Sequence, residues 1–138
     1  MIVLLRHASA GDREEWDDDD RLRPLDERGF RQAERLVEPL LELGVERIVS
    51  SPYLRCTQTV EPLARRLGTP IVLDDSLAEG APRQATLDLL ESPGERAVFC
   101  THGDVVENVL GKQLKKGDAA VLERDGAKLR RVAKIKAR

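Results

Sequence analysis

Ile2-Val3-Leu4-Leu5-Arg6-His7-Ala8 decides how this chain is read. Four consecutive apolar residues stop abruptly at an arginine and a histidine. A short unbroken apolar run of this kind is the pattern of a strand buried on both faces, as in parallel sheets. The same device recurs at Ala97-Val98-Phe99-Cys100, which ends at Thr101-His102-Gly103. Between them lie two further strand patterns, Val45 to Val49 ending at Ser50-Ser51-Pro52, and the short Pro70-Ile71-Val72-Leu73.

Helical periodicity fills the intervals. After Asp26, read as an N-cap, Phe30, Ala33, Leu36, Val37, Leu40 and Leu41 recur at helical spacing until Gly44. Pro39 inside this stretch is expected to bend it or weaken one turn. A second helix is predicted to run to Gly68, with Ser51 as cap and Pro52 at the first position, where a missing N–H costs nothing. A third covers Arg83 to Glu91, and a short fourth follows His102-Gly103. Residues 8–25 read as a long polar surface loop, and Ala119 to Ile135 as a hairpin around Asp125-Gly126, a dipeptide suited to a type I′ turn. The pattern predicts one α/β domain over residues 1–138, a three-layer α/β/α sandwich with a mainly parallel central sheet and a C-terminal hairpin.

Composition is compatible with this. A chain of 138 residues, 41% hydrophobic and 35% charged, is long enough for one buried core. A net charge of −2 gives no global reason to expect nucleic acid or an anionic membrane as partner. Cys56 and Cys100 form no CxxC pair, which suits a reducing compartment. The opening apolar run is too short for a signal segment, and none approaches the roughly 20 residues of a membrane span. The expected location is the cytoplasm.

The chain has only two histidines, each directly after an apolar strand and before a small residue, Ala8 or Gly103. In open α/β sheets the carboxyl ends of the strands line the ligand crevice. Two strands therefore bring imidazoles to one sheet edge, Arg6 accompanies one of them, and the strand ending at Ser50 leads to a helix carrying Arg55 to that edge. A lone histidine in such a place is usually an idle loop residue; two of them with two arginines form a pattern. Guanidinium groups match phosphate oxygens with paired donors. A neutral imidazole is a competent nucleophile when its other ring nitrogen is fixed by a hydrogen bond. Phosphoryl transfer needs mainly such positioning and charge stabilisation.

Leu5-Arg6-His7-Ala8, Ser50-Ser51-Pro52-Tyr53-Leu54-Arg55 with Gln58-Thr59, and Thr101-His102-Gly103 together resemble the histidine phosphatase superfamily, also called phosphoglycerate mutase-like. Asp20-Arg21-Leu22-Arg23-Pro24-Leu25 followed by Glu27-Arg28-Gly29 resembles its compact SixA-type branch, which includes phosphohistidine phosphatases. The stretch from Arg55 to Ala64 also resembles the phosphatase-like half of some actinobacterial Nudix fusion hydrolases. The resemblance implies His7 as nucleophile, Arg6, Arg55 and His102 as the phosphate pocket, and no metal or organic cofactor. Ala8 departs from the glycine common in the wider superfamily. Glu79 resembles the general-acid position of larger members; to serve, it has to be protonated at working pH. The alternative is an ordinary solvated loop glutamate.

Other features take plainer readings. Asp17–Asp20 is a solvated acidic run rather than a metal site, in a loop placed to gate the pocket. Trp16 either lines the pocket or pins that loop. Cys56 and Cys100 read as small buried residues. Lys128, Arg130, Arg131, Lys134, Lys136 and Arg138 read as a solvated edge strand rather than a nucleic-acid surface. The expected activity is hydrolysis of a phosphorylated protein histidine or a small phosphorylated metabolite through a phosphohistidine. The resemblance also implies that hydrolysis is favoured over a mutase reaction, since mutases of that superfamily are larger, with insertions that enclose the substrate, for which 138 residues leave no room. The alternatives are a non-catalytic phosphate-binding module, or a nucleotide-type phosphatase partnering a Nudix enzyme. The residues name neither a particular ligand nor an oligomeric state.

Overall fold

In the computed structural model, which describes residues 1–91, 96–126 and 128–137, six strands and four α-helices follow one another. They are β1 (Ile2–Arg6), α1 (Glu27–Glu42), β2 (Arg47–Ser50), α2 (Leu54–Leu67), β3 (Ile71–Leu73), α3 (Arg83–Glu91), β4 (Ala97–Thr101), α4 (Gly103–Leu110), β5 (Ala119–Asp125) and β6 (Lys128–Ile135). The sheet order is β3-β2-β4-β1-β5-β6. The first four strands run parallel, and β5 and β6 are added antiparallel. The two histidine-bearing strands are the central neighbours, with Arg6 opposite Thr101 in register. This is the α/β sandwich that the alternating pattern predicts.

Side-chain alternation divides the core into two layers. Val3, Leu5, Val98, Cys100 and Ile48 face one way and pack under Leu36, Val37 and Leu40 of α1 and Val60 and Leu63 of α2. Ile2, Leu4, Phe99 and Val49 face the other way, toward Leu90 of α3 and Val106 of α4. The unbroken apolar runs of β1 and β4 thus follow from burial on both faces. β6 lies at the sheet edge as its lysines and arginines suggest; Arg138 lies outside the described residues.

Five local expectations are corrected. Val45 is buried but not in β2; its N–H closes the exit of α1 on the Leu40 carbonyl. α2 begins at Leu54 with Tyr53 as its N-cap residue, so Ser51 and Pro52 precede the helix. Phe30 is 47% exposed, off the buried face of α1. In the hairpin Asp125 is the last residue of β5 and pairs with Lys128, so it flanks the turn expected at Asp125-Gly126 rather than forming it. Residues 8–25 are not simply a surface loop: Ala8, Ala10 and Leu25 form a small core with Ala33 of α1.

That small core depends on one glycine. Asp26 caps α1 through a 2.8 Å bond from Gly29 N to Asp26 Oδ1, and a Cβ on Gly29 would lie 1.9 Å from the Ser9 carbonyl oxygen. Gly29→Ala, which gains about 1 kcal/mol in an unconstrained helix, is therefore expected to destabilise the protein by about 2 kcal/mol through overpacking. Urea unfolding checks this; a stabilised variant would show that the Ser9 backbone yields freely.

Candidate active site

His7 follows β1 and donates its backbone N–H to the Thr101 carbonyl of β4 at 2.9 Å, so it is fastened beside the exit of the neighbouring strand. Its side chain is 6% exposed. Nδ1 lies 2.8 Å from the Ala8 carbonyl oxygen, which can only accept. Nδ1 therefore carries the proton, and Nε2 keeps its lone pair. Burial holds the imidazole far below its ordinary value, at about 3; His102, Arg55 and Arg6 add to the depression, and the Ala8 hydrogen bond opposes it. His7 is neutral at pH 7.

The ionisation has a stability consequence. Unfolded His7 takes up a proton near its ordinary pKa of 6.5, whereas the folded ring does so near 3. The stability it contributes is complete above pH 6.5 and is lost as pH falls from there toward 3. Between pH 7 and pH 5 the protein is expected to lose about 2 kcal/mol more than a His7→Gln variant. Urea unfolding at both pH values reads the difference, and equal losses would reject a buried neutral ring.

His102 directly follows β4 and stands at the N-cap of α4. Its ring is 5.4 Å from that of His7, centroid to centroid, and 4.6 Å from Tyr53. Nε2 meets the Ser51 hydroxyl at 2.8 Å. Ser51, expected as a helix cap, thus orients the second histidine instead, and its Oγ also accepts from Tyr53 N. Gly103 leaves room for Arg6: a Cβ there would lie 2.9 to 3.2 Å from the guanidinium and would shift it.

Arg6 is held from behind, with Nη1 donating to the Leu114 carbonyl at 2.7 Å. Arg55, in the first turn of α2, is fully buried and stacks 4.9 Å above the Tyr53 ring. Three polar nitrogens here are buried without a partner among the described residues: Arg6 Nε, Arg55 Nε and His102 Nδ1. Such atoms are costly unless a ligand satisfies them, and all three belong to residues expected at a phosphate pocket. A cleft of about 610 Å³ opens above, lined among others by Arg6, His7, Glu79, His102 and Lys116. Residues 2–85 match the family model for the histidine phosphatase superfamily (branch 1).

The chain belongs to the histidine phosphatase superfamily.

The putative phosphohistidine phosphatase SixA from Agrobacterium tumefaciens superposes with a TM-score of 0.78 at 25% identity, over 98% of this chain and 96% of that one. A tungstate complex of the protein histidine phosphatase SixA shares the fold, with a TM-score of 0.80 at 18% identity over 99% and 96% of the two chains. In sequence, the 8-oxo-(d)GTP phosphatase of Mycolicibacterium smegmatis is 36% identical over 116 residues, which are 79% of this chain and 36% of that protein. The chain thus spans about a third of that relative, and less than half of three further relatives that it matches.

The site has a carboxylate arrangement that the sequence does not announce. Asp20 was expected in a solvated run; it turns inward instead, and its Oδ2 accepts from Arg55 Nη2 at 3.1 Å while its backbone carbonyl accepts from Nη1 at 2.8 Å. Its Oδ1 accepts from Arg23 Nε at 2.9 Å. Burial pushes the Asp20 carboxyl up, but the Arg23 hydrogen bond and the charges of Arg55, Arg13 and Arg23 outweigh it and leave it below the ordinary range. Glu79 is no solvated loop residue either: Oε1 accepts from Arg13 Nη2 at 2.7 Å and Oε2 from Arg55 Nη2 at 3.4 Å. Trp16 pins the loop by donating from Nε1 to the Asp19 carbonyl at 2.9 Å. Gln58 and Thr59 clamp the two ends of residues 8–25: Leu25 N donates to Gln58 Oε1 at 2.9 Å, and Ala8 N to Thr59 Oγ1 at 3.0 Å. Cys56 and Cys100 are buried and free.

Proposed function

We propose that this chain is a metal-independent phosphatase that hydrolyses a phosphorylated substrate through a covalent phosphohistidine on His7. The observation that supports it most directly is the neutral His7 ring, with Nδ1 bonded to Ala8 and Nε2 free beside His102. In this scheme Nε2 attacks phosphorus, the P–N bond forms, and the bond to the leaving group breaks with its electron pair. Arg6, Arg55 and His102 stabilise the charge on the equatorial oxygens, more in the transition state than in the ground state. Water then attacks the phosphohistidine, releasing phosphate and restoring the neutral ring. The leaving group takes a proton from solvent or from Glu79. For Glu79 to serve, Oε1 has to exchange its Arg13 donor for a proton, because one oxygen cannot offer both at once.

The substrate class is a phosphorylated protein histidine or a small phosphoester. Likeness to SixA favours the first, and the 36% identity with the 8-oxo-(d)GTP phosphatase favours a nucleotide-type substrate. Mass spectrometry of acid-labile phosphate tests the scheme during turnover of an aryl phosphate and a phosphohistidine peptide. Phosphate on His7 is the expected result. Absence of any adduct and of turnover would leave the phosphate-binding module as the better account.

A further inference from the structure

A second hollow, of about 230 Å³, shares Lys116 with the cleft in its lining. Its wall carries Arg28, Lys115, Lys116, Lys134 and Lys136 against one carboxylate, Asp118. Asp118 is buried and already engaged, accepting from Ala137 N at 3.2 Å and lying 3.8 Å from Lys134 Nζ. Among the described residues, Arg28, Lys115, Lys116 and Lys136 have no carboxylate within 4.0 Å. In a chain of net charge −2, this is a local concentration of uncompensated cations.

The hollow is tied to the catalytic strand rather than merely near it. Gly117 N donates to the carbonyls of both Arg6 and His7, at 3.1 and 3.0 Å, and Arg6 N donates to the Asp118 carbonyl at 3.0 Å. Gln32 closes the other side: its Oε1 accepts from Ser9 N at 2.9 Å and its Nε2 reaches the Lys116 carbonyl at 3.5 Å. Lys116 lines both cavities. Burial, and then the charges of Arg6 and Arg23, hold its ammonium below the ordinary value, with Asp26 opposing. The turn is thereby fixed with its cations beside the phosphate pocket.

One phosphoryl group is already served by His7, Arg6, Arg55 and His102, so these further cations are redundant for a monophosphate. Clustered like charges repel one another, and an anion seated among them relieves that repulsion. We propose that the hollow is a subsite for a second phosphate group, so that the substrate class is a small-molecule ester carrying at least two phosphates. One phosphate meets His7 and another meets Lys116 and the hollow beyond it. This rests on the phosphatase reading above. A concavity of this size suits a compact group better than the broad face of an acidic protein.

Calorimetry with inorganic pyrophosphate and inorganic phosphate, on the full chain at low salt, tests the subsite without requiring turnover. The wild type is expected to bind pyrophosphate at least about tenfold more tightly than phosphate. The double variant R28Q/K136Q should lose most of that preference while phosphate affinity and aryl phosphate turnover stay within about twofold. No preference in the wild type, or full preference in the double variant, overturns the subsite. So does a double variant that loses turnover of a phosphohistidine protein with pyrophosphate affinity unchanged, since the cations then serve a protein partner. Failure of the phosphatase reading looks different: no aryl phosphate turnover and no phosphoenzyme, with the pyrophosphate comparison still readable.

Discussion

His7→Ala is expected to lower turnover by about 10⁴-fold or more, the scale on which loss of a nucleophile acts, and to abolish acid-labile phosphate on the protein. No second imidazole is placed as His7 is. His102 is the chain's only other imidazole, and its Nε2 is committed to Ser51. Cys56, on α2, and Cys100, on β4, are both buried in the core, and neither lines the cleft, although Cys56 Sγ lies 3.5 Å from His102 Nε2. The backbone bond from residue 7 to Thr101 does not use the side chain, so the variant is expected to fold and still bind inorganic phosphate through Arg6, Arg55 and His102. A His7→Ala protein keeping a tenth or so of the activity would end the covalent mechanism.

Arg55→Ala is expected to cost about 10³-fold in kcat/KM, roughly 4 kcal/mol of transition-state stabilisation, with kcat falling along with affinity. Arg55→Lys should restore little, because an ammonium cannot supply the planar fork of donors that meets Asp20 and Glu79 and can turn to a phosphoryl group in exchange. The same substitution releases the loop. Asp20 and Glu79 both lose a partner that is itself wholly buried. Limited proteolysis between Asp12 and Asp19 is therefore expected to speed up in Arg55→Ala while cleavage elsewhere is unchanged. Loss of activity with kcat intact would instead make Arg55 a residue of ground-state binding only.

Much of this was legible in the residues. The buried strands could be found because a strand covered on both faces has to be apolar throughout, as Ile2–Leu5 and Ala97–Cys100 are. The meeting of His7 and His102 followed from strand ends sharing one edge. What the pattern did not show depends on contacts between residues distant in sequence. Asp20 looks like three exposed neighbours until Arg55, 35 positions later, is brought against it. Ser51 has a cap's identity but finds His102 across the sheet edge, so a local preference yields to a tertiary partner. Phe30 fits the helical period, yet at 47% exposure it falls just beyond the face that meets the sheet. The signal for Asp20 was present in the stretch Asp20–Leu25, whose likeness to the SixA-type branch marked the segment without saying which side chain turns inward.

The grip of Asp20 on Arg55 changes what binding means here. A phosphoryl group reaching that guanidinium does not fill a waiting socket; it exchanges with an anion the protein has supplied itself. Affinity measured from outside is then the intrinsic affinity scaled by the fraction of molecules in which Asp20 has let go. The exchange also sorts ligands by charge. A monoanion offers Arg55 no more than the carboxylate already does, whereas a dianionic phosphate offers more, so the resident carboxylate acts as a threshold that weakly charged metabolites fail to cross.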